Sequence, residues 1–287
     1  MAATALVDAA GTSHVAAAPG ARIVCLVPSI TELLLELGLA AGEGDGPEPR
    51  LVGRTGFCIH PRERVRAVAK VGGTKDVRLD AVRALAPSHV VVNVEENTRE
   101  TAEALAAFVP HLVVTHPLAP RDNLALYRLL GGSFGRAAEA ELLCAAFAEA
   151  AAALAGAVVA CPPRRVLYLI WRDPWMAVAP DTYIARMLGL AGLLTVPEEA
   201  EAAALAAAAA ASPDAARYPV VELAAFAGRV DEVLLSSEPY RFRAKHLAEV
   251  EALVPGARVR LIDGELTSWY GSRAVAGLRY LADFSTS

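Results

Sequence analysis

The chain has 287 residues, of which 55% are hydrophobic and 21% charged, and a formal net charge of −5. That is enough apolar material for one large core or two modest ones, and it excludes a disordered chain. The acidic balance argues against a nucleic-acid partner, which selects a basic excess, and the sequence is expected to hold no apolar run of the roughly 18 residues that span a bilayer.

Residues 1–21 contain no Lys or Arg, and Asp8 and His14 interrupt their apolar stretch. A secretory signal needs a basic start and an unbroken apolar core, so a flexible leader on a cytoplasmic protein is expected. The cysteines at 25, 58, 144 and 161 show no C-x-x-C spacing, and Cys25 and Cys144 read as small buried hydrophobes.

Residues 22–27, R-I-V-C-L-V, have the continuous apolar text of a buried parallel strand. Pro28 ends it, and S-I-T-E opens a Leu-rich helix that stops near Gly38. Ser29 and Glu32 stand at capping-box spacing, while strand-to-helix corners of this kind also face ligands in open α/β sheets. Residues 42–49 read as an acidic, Gly-rich surface loop. In L-V-G-R-T-G-F-C-I-H-P (51–61), Cys58 and His60 lie two apart, so an extended segment points both the same way. A thiolate and an imidazole suit a soft metal ion, although zinc needs at least one more ligand. The plainer reading is a loop with one buried Cys and one surface His; His60 alone also suits the axial position of a metallo-tetrapyrrole.

V-G-G-T-K (71–75) reads as a glycine turn that leaves Lys75 near a ligand or a rim. A helix at 79–85 and a strand at 87–94 follow, and the strand runs into Glu95, Glu96 and Asn97. The carboxyl end of a buried strand is where α/β sheets place ligands; the alternative is that one of the three caps the helix at 98–108. A strand at 111–115 and a helix from Asn123 to the glycines at 131–135 lead into residues 136–158. That stretch is Ala-rich, with Leu143, Phe147, Ala150 and Leu154 as an amphipathic stripe. At 1.5 Å per residue it makes a spine of about 30 Å.

The second half repeats the plan. The strand at 165–170 ends in W-R-D-P-W-M (171–176), where Trp171 and Trp175 offer faces for a flat ring system and Arg172 a fork for carboxylate or phosphate. Pro174 is expected to keep this cluster out of any regular element. A helix at 181–190, an acidic Ala-rich insertion at 198–216 and a helix starting at 220–225 precede a strand at 230–236. That strand runs into Glu238, Tyr240 and Arg241. Seventy-one residues separate Val24 from Glu95, and seventy-two separate Val166 from Glu238, which is the mark of two similar lobes. After a helix at 247–253 and a strand at 258–263, Trp269, Tyr270 and Arg273 precede the last helix. Trp269 and Tyr270 are either ligand-facing or staples for that helix.

V-P-S-I-T-E-L-L-L-E-L-G (27–38), V-G-G-T-K-D (71–76), L-A-P-S-H-V-V-V-N (85–93) and the spine resemble the cobalamin-binding type of class III substrate-binding proteins, the helical-backbone metal receptors. E-E-N, W-R-D-P-W-M, S-E-P-Y-R-F and W-Y-G-S-R resemble a soluble branch without a signal peptide. The resemblance implies two α/β lobes with parallel sheets joined by one long backbone helix, with a ligand cleft between them. The leader is expected at 1–21, the first lobe at 22–120, the linking helices at 121–160 and the second lobe at 161–287. The resemblance implies a carrier related to those of ABC transporters rather than an enzyme. Its ligand is a metal chelate, cobalamin or a related corrinoid before haem or a siderophore, stacked on Trp171, Trp175 and Trp269. Arg172, Arg241 and Arg273 are expected to meet its acidic groups, with Lys75, Tyr240, Tyr270, Glu95, Glu96, Asn97 and Glu238 completing the hydrogen bonds. No membrane insertion is expected, and without export no docking on a permease. The rival expectation is a metal-dependent enzyme in which Glu95, Glu96, Glu238, Cys58 and His60 hold a bare transition-metal ion.

Overall fold

A computed structural model describes residues 6–42, 46–208 and 213–287. Residues 43–45 of the expected acidic loop and 209–212 of the expected insertion lie outside them. The chain forms two compact units. The first holds residues 1–117, 121–147 and 270–273, and the second holds 118–120, 148–269 and 274–287.

In the first unit the strands are β1 (Leu6–Val7), β2 (Ser13–His14), β3 (Arg22–Cys25), β4 (Ala40–Ala41), β5 (Arg50–Arg54), β6 (Ala69–Lys70), β7 (His89–Asn93) and β8 (His111–Thr115). Its helices are α1 (Pro28–Glu36), α2 (Arg62–Val65), α3 (Leu79–Ala84), α4 (Arg99–Ala106) and α5 (Asp122–Ser133), followed by α6 (Ala137–Val158). Six strands form a parallel sheet in the order β4-β5-β3-β7-β8, with β6 on β5. Every residue of β5 and β7 is buried, as expected when helices cover both faces of a parallel sheet.

The second unit has β9 (Arg164–Trp171), β10 (Met176–Ala177), β11 (Leu193–Thr195), β12 (Glu232–Ser236) and β13 (Arg258–Ile262). Its helices are α7 (Tyr183–Gly189), α8 (Glu199–Ala208), α9 (Leu247–Leu253), α10 (Gly264–Ser268) and α11 (Arg273–Ser285). Parallel strands run in the order β11-β9-β12-β13, and β10 adds antiparallel to β9. The repeat is written into the register. Val24 of β3 faces Val90 of β7, and Val166 of β9 faces Glu232 of β12, a step of 66 residues in each unit (24 to 90, 166 to 232).

Helix α6 links the two units and fills the expected spine. Its buried residues are Ala140, Cys144, Phe147, Ala150 and Leu154, so Cys144 takes the place expected for Leu143. Among the described residues α6 is long and apolar enough to cross a membrane, with a mean hydropathy of 1.6 over 18 residues of which 22% are buried. This corrects the expectation that no such run exists. Alanines make the difference, since each counts as apolar while exposing little surface.

Four further expectations change. Residues 6–14, placed in the flexible leader, form the β1–β2 hairpin, with Leu6 opposite His14. Its buried Asp8 accepts hydrogen bonds from Ala10 N (3.0 Å), Thr12 N (2.9 Å), His14 Nε2 (3.0 Å) and Val114 N (2.9 Å). Burial opposes the charge, but these donors together hold the carboxyl below its usual range. The hairpin thereby covers β8, an edge strand whose open backbone groups need a partner. Second, Ser29 and Glu32 form no capping box. Pro28 takes the first helical position, for which its ring presets φ, and Val27 is the N-cap with no side-chain bond. Ser29 is therefore already inside the helix. Third, W-R-D-P-W-M turns tightly enough for Met176 of β10 to pair with Trp171 of β9, so Pro174 sits in a hairpin turn rather than an irregular loop. Fourth, residues 220–225 contribute a bridge from Val220 to Met176 and a short 3-10 turn, Leu223–Phe226, in place of a helix.

Candidate functional site

In the first unit the carboxyl ends of β3, β7 and β8 meet at a corner held together by two asparagines. Asn93 Oδ1 accepts from Glu95 N (2.8 Å) and Glu96 N (3.2 Å), which folds the chain back sharply after β7. Asn97 Oδ1 accepts from Asn93 N (2.9 Å), and its Nδ2 donates to Thr74 O (2.9 Å) and Leu26 O (3.3 Å). With the amide's oxygen and both of its hydrogens engaged, Asn97 ties β3, the 71–75 turn and β7 to one another. The cap of α4 is Thr98, whose hydroxyl accepts from Thr101 N. Lys75 donates to the carbonyl of Glu95, so the glycine turn does bring it to this corner.

The two carboxylates differ. Glu95 pairs with His116 Nε2 at 3.3 Å. Burial pushes the Glu96 carboxyl up, opposed by Lys75 and reinforced by Glu95. The Tyr270 hydroxyl is enclosed beside them. Burial first, then the nearby Glu96, raise it well above the ordinary tyrosine range, while a hydrogen bond with Ser29 works the other way. The loop holding Tyr270 is anchored from α5: Asn123 Oδ1 accepts from Gly271 N (2.6 Å) and Tyr127 Oη donates to Gly271 O (2.8 Å). Arg273 was expected to meet acidic groups of a ligand. Its guanidinium grips both oxygens of Glu32 at 2.8 Å each, a bidentate pair of one positive and one negative charge.

Cys58 and His60 lie outside any strand. Residues 55–61 form a turn and an irregular stretch rather than a strand, so the alternation argument fails. Cys58 is fully buried; its sulfur accepts from Thr31 Oγ1 (3.1 Å) and lies 3.2 Å from Thr55 Oγ1, while His60 is half-buried. Burial pushes the Cys58 thiol up, away from the thiolate that a metal needs, and Cys25 is pushed up to about 12 for the same reason. Among the described residues no group of three or more His, Cys, Asp or Glu is arranged to hold a metal ion.

In the second unit the ends of β9 and β12 carry an aromatic cluster. Trp171 is 40% exposed and meets the ring of Tyr240 edge-on at 5.8 Å. Trp175 lies parallel to Phe242 at 6.1 Å, and Tyr240 packs on Phe242 at 4.8 Å. Behind them His246 accepts at Nδ1 from Arg243 N (2.9 Å). Nδ1 therefore carries no proton, and the hydrogen on Nε2 points to Tyr240 Oη at 3.5 Å. Phe242 and His246 were not anticipated. Only the apolar spacing of Tyr240 and Phe242 hinted at the first, and no local pattern marked the second. Arg172 pairs with Glu249 (2.7 and 3.3 Å) and Asp173 (2.6 Å), so its fork holds two carboxylates of the chain itself. Arg241 is exposed.

Glu238, past the end of β12, accepts at Oε1 from Ser268 Oγ (2.7 Å) and from the Trp269 indole (2.8 Å). Trp269 is thus held by its nitrogen. Burial pushes the Glu238 carboxyl up, and Glu265 and Asp263 add to this against the two hydrogen bonds. A carboxyl raised on folding adds stability below its unfolded value, and loses it as pH rises through the folded value. Glu238→Gln keeps an acceptor for Trp269 and removes the charge. Its melting temperature should therefore exceed that of the unaltered protein at pH 8 and converge with it toward pH 4. Equal melting curves at both pH values would contradict the raised carboxyl.

These corners belong to a known architecture. The periplasmic haem-binding protein RhuT from Roseiflexus sp. RS-1, in its apo form, superposes with a TM-score of 0.70 at 20% identity, covering 93% of this chain and 98% of its own. The periplasmic vitamin B12 binding protein BtuF of Vibrio cholerae gives 0.73 at 13% identity, over 93% and 97%. The periplasmic haem-binding protein BhuT in complex with two haems gives 0.70 at 18% identity, over 93% and 99%. No curated protein matches the chain in sequence. Residues 23–239 match the family described as periplasmic binding protein, and the chain belongs to that family.

Proposed function

We propose that this protein binds a metal-bearing tetrapyrrole chelate, cobalamin or a related corrinoid first and haem second, and that it does so in the cytoplasm. The observation that carries the reading is the exposed face of Trp171, backed by Tyr240, Phe242 and His246 at the strand ends of the second unit. A flat macrocycle offers the area that such an aromatic platform needs. Fold relatives named for vitamin B12 and for haem support the ligand class. Among the described residues no group of three or more His, Cys, Asp or Glu is arranged to hold a metal ion, so the bare-metal enzyme has no comparable support.

The test is an absorbance titration of purified protein with aquocobalamin, haemin and a ferric siderophore. A saturable shift with aquocobalamin at micromolar protein is expected, weaker or absent with the siderophore. No shift with any of the three overturns the reading. Fractionation of the native host, with the protein in the soluble cytoplasmic fraction, is the expected outcome for its location.

A further inference from the structure

The amino ends of β3, β7 and β8 line a half-open cavity of about 470 Å³ within the first unit. It lies at the end of the sheet opposite to the polar corner, away from the strand termini that such folds use for ligands. One wall is the run of residues 15–21, whose side chains are Val, Ala, Pro and Gly only. That run is fixed from behind, by Ala17 N on Ser133 O (2.7 Å) and Gly20 N on Pro47 O (2.7 Å), so the space is a built feature of the fold.

The opposite wall carries two imidazoles. His89 and His111 are stacked, with ring centroids 4.6 Å apart and planes 22° apart, and Phe134 meets His89 edge-on at 5.3 Å. His89 is 5% exposed, whereas His111 is exposed, so the stack has one sealed and one open member. Ser88 Oγ lies 2.9 Å from His89 Nδ1, and the other ring nitrogen of this buried side chain has no hydrogen-bond partner among the described residues. Burial, the neighbouring His111 and then His14 hold His89 down to about 4, hence neutral at physiological pH. Near-parallel rings direct their nitrogens side by side rather than onto one point, which disfavours a shared metal ion. At the rim, Arg22 spends Nε on Leu85 O (2.9 Å), and its two terminal nitrogens take no partner among the described residues.

We propose that this cavity binds a small aromatic carboxylate, its ring on the His89–His111 stack and its carboxylate on the guanidinium of Arg22. The volume falls in the range of small-molecule pockets. Its lining is mostly apolar, with Arg22 as its one cation beside Ser88 and the two imidazoles, which matches a flat ring bearing a single anionic group. The site is independent of the chelate reading, and either can fail without the other.

The probe is benzoate, titrated into the full-length protein while the imidazole resonances of His89 and His111 are followed by NMR. Cyclohexanecarboxylate supplies the same charge without the aromatic face, and benzyl alcohol the face without the charge. Saturable shifts of both histidines with benzoate are expected, with each comparison compound at least about fivefold weaker. His111→Ala and Arg22→Gln should each weaken benzoate about fivefold, and Trp171→Ala should leave it unchanged. If a variant fails to fold, the two comparison compounds still decide the matter on the unaltered chain. Absence of saturation by about 10 mM, or equal affinity for cyclohexanecarboxylate, overturns the proposal.

Discussion

Gly264→Ala should lower the melting temperature by about 6–12 °C and disorder the corner around Trp269. A Cβ at residue 264 would stand 2.6 Å from Glu238 Cγ, 2.8 Å from Glu238 N, and closer still to Ser236 Oγ. One of these is a backbone atom of the chain leaving β12, so relief requires moving Glu238 rather than swinging a flexible side chain. Gly264 also donates its N–H to Ser237 Oγ at 2.8 Å, which fixes the approach of α10 to β12. Overpacking of this kind costs about 3 kcal/mol, and each kcal/mol moves the midpoint of a unit this size by about 2–4 °C. Displacing Glu238 would also break its bonds to Ser268 and the Trp269 indole, so tryptophan emission should shift to the red before the main transition. Gly189→Ala is the control, because nothing lies within 4 Å of its added methyl and its backbone conformation is ordinary. Calorimetric melting of the two variants decides the point, and equal midpoints would refute the steric account.

The repeat and the spine were legible because both rest on local, periodic text. Buried parallel strands write themselves as runs such as H-V-V-V-N and E-V-L-L-S, and a Pro-free, Ala-rich stretch can hardly be anything but helix. The positions of the site corners followed from the same logic, since residues after a parallel strand lie at the ligand end of the sheet. What each side chain does there was not legible, because its partners are remote in sequence. Asn97 reaches Leu26 and Thr74, Arg172 reaches Glu249, and Arg273 reaches Glu32 across 241 positions. Charge and hydrogen-bonding capacity advertise a contact without saying whether the chain itself supplies it. The Asp8 hairpin was hidden for a related reason: the polar residues that argued against an ordered leader are the ones that hold it to β8.

The aromatic cluster separates binding from packing, and two substitutions should show it. Trp171 is the exposed member, touching Tyr240 only by an edge. Trp175 is half-buried, parallel to Phe242 and packed against the core of the second unit. Trp171→Ala removes a stacking face while leaving the core intact, so its melting curve should change little. If it anchors the chelate as proposed, its loss should weaken aquocobalamin about 30-fold, the effect of losing a tryptophan contact of ~2 kcal/mol. Trp175→Ala should behave in the opposite sense, costing about 2 kcal/mol of stability through the gap it opens beside Phe242, with a smaller direct effect on affinity. Affinity and melting temperature measured on both variants form a crossed design. Equal ligand affinity for Trp171→Ala and the unaltered protein would move the platform away from β9. A stability loss at Trp171 as large as at Trp175 would instead mean that the exposed ring is structural. The prediction rests on burial: Trp171 is exposed, whereas Trp175 lies half-buried and parallel to Phe242 against the core of the second unit.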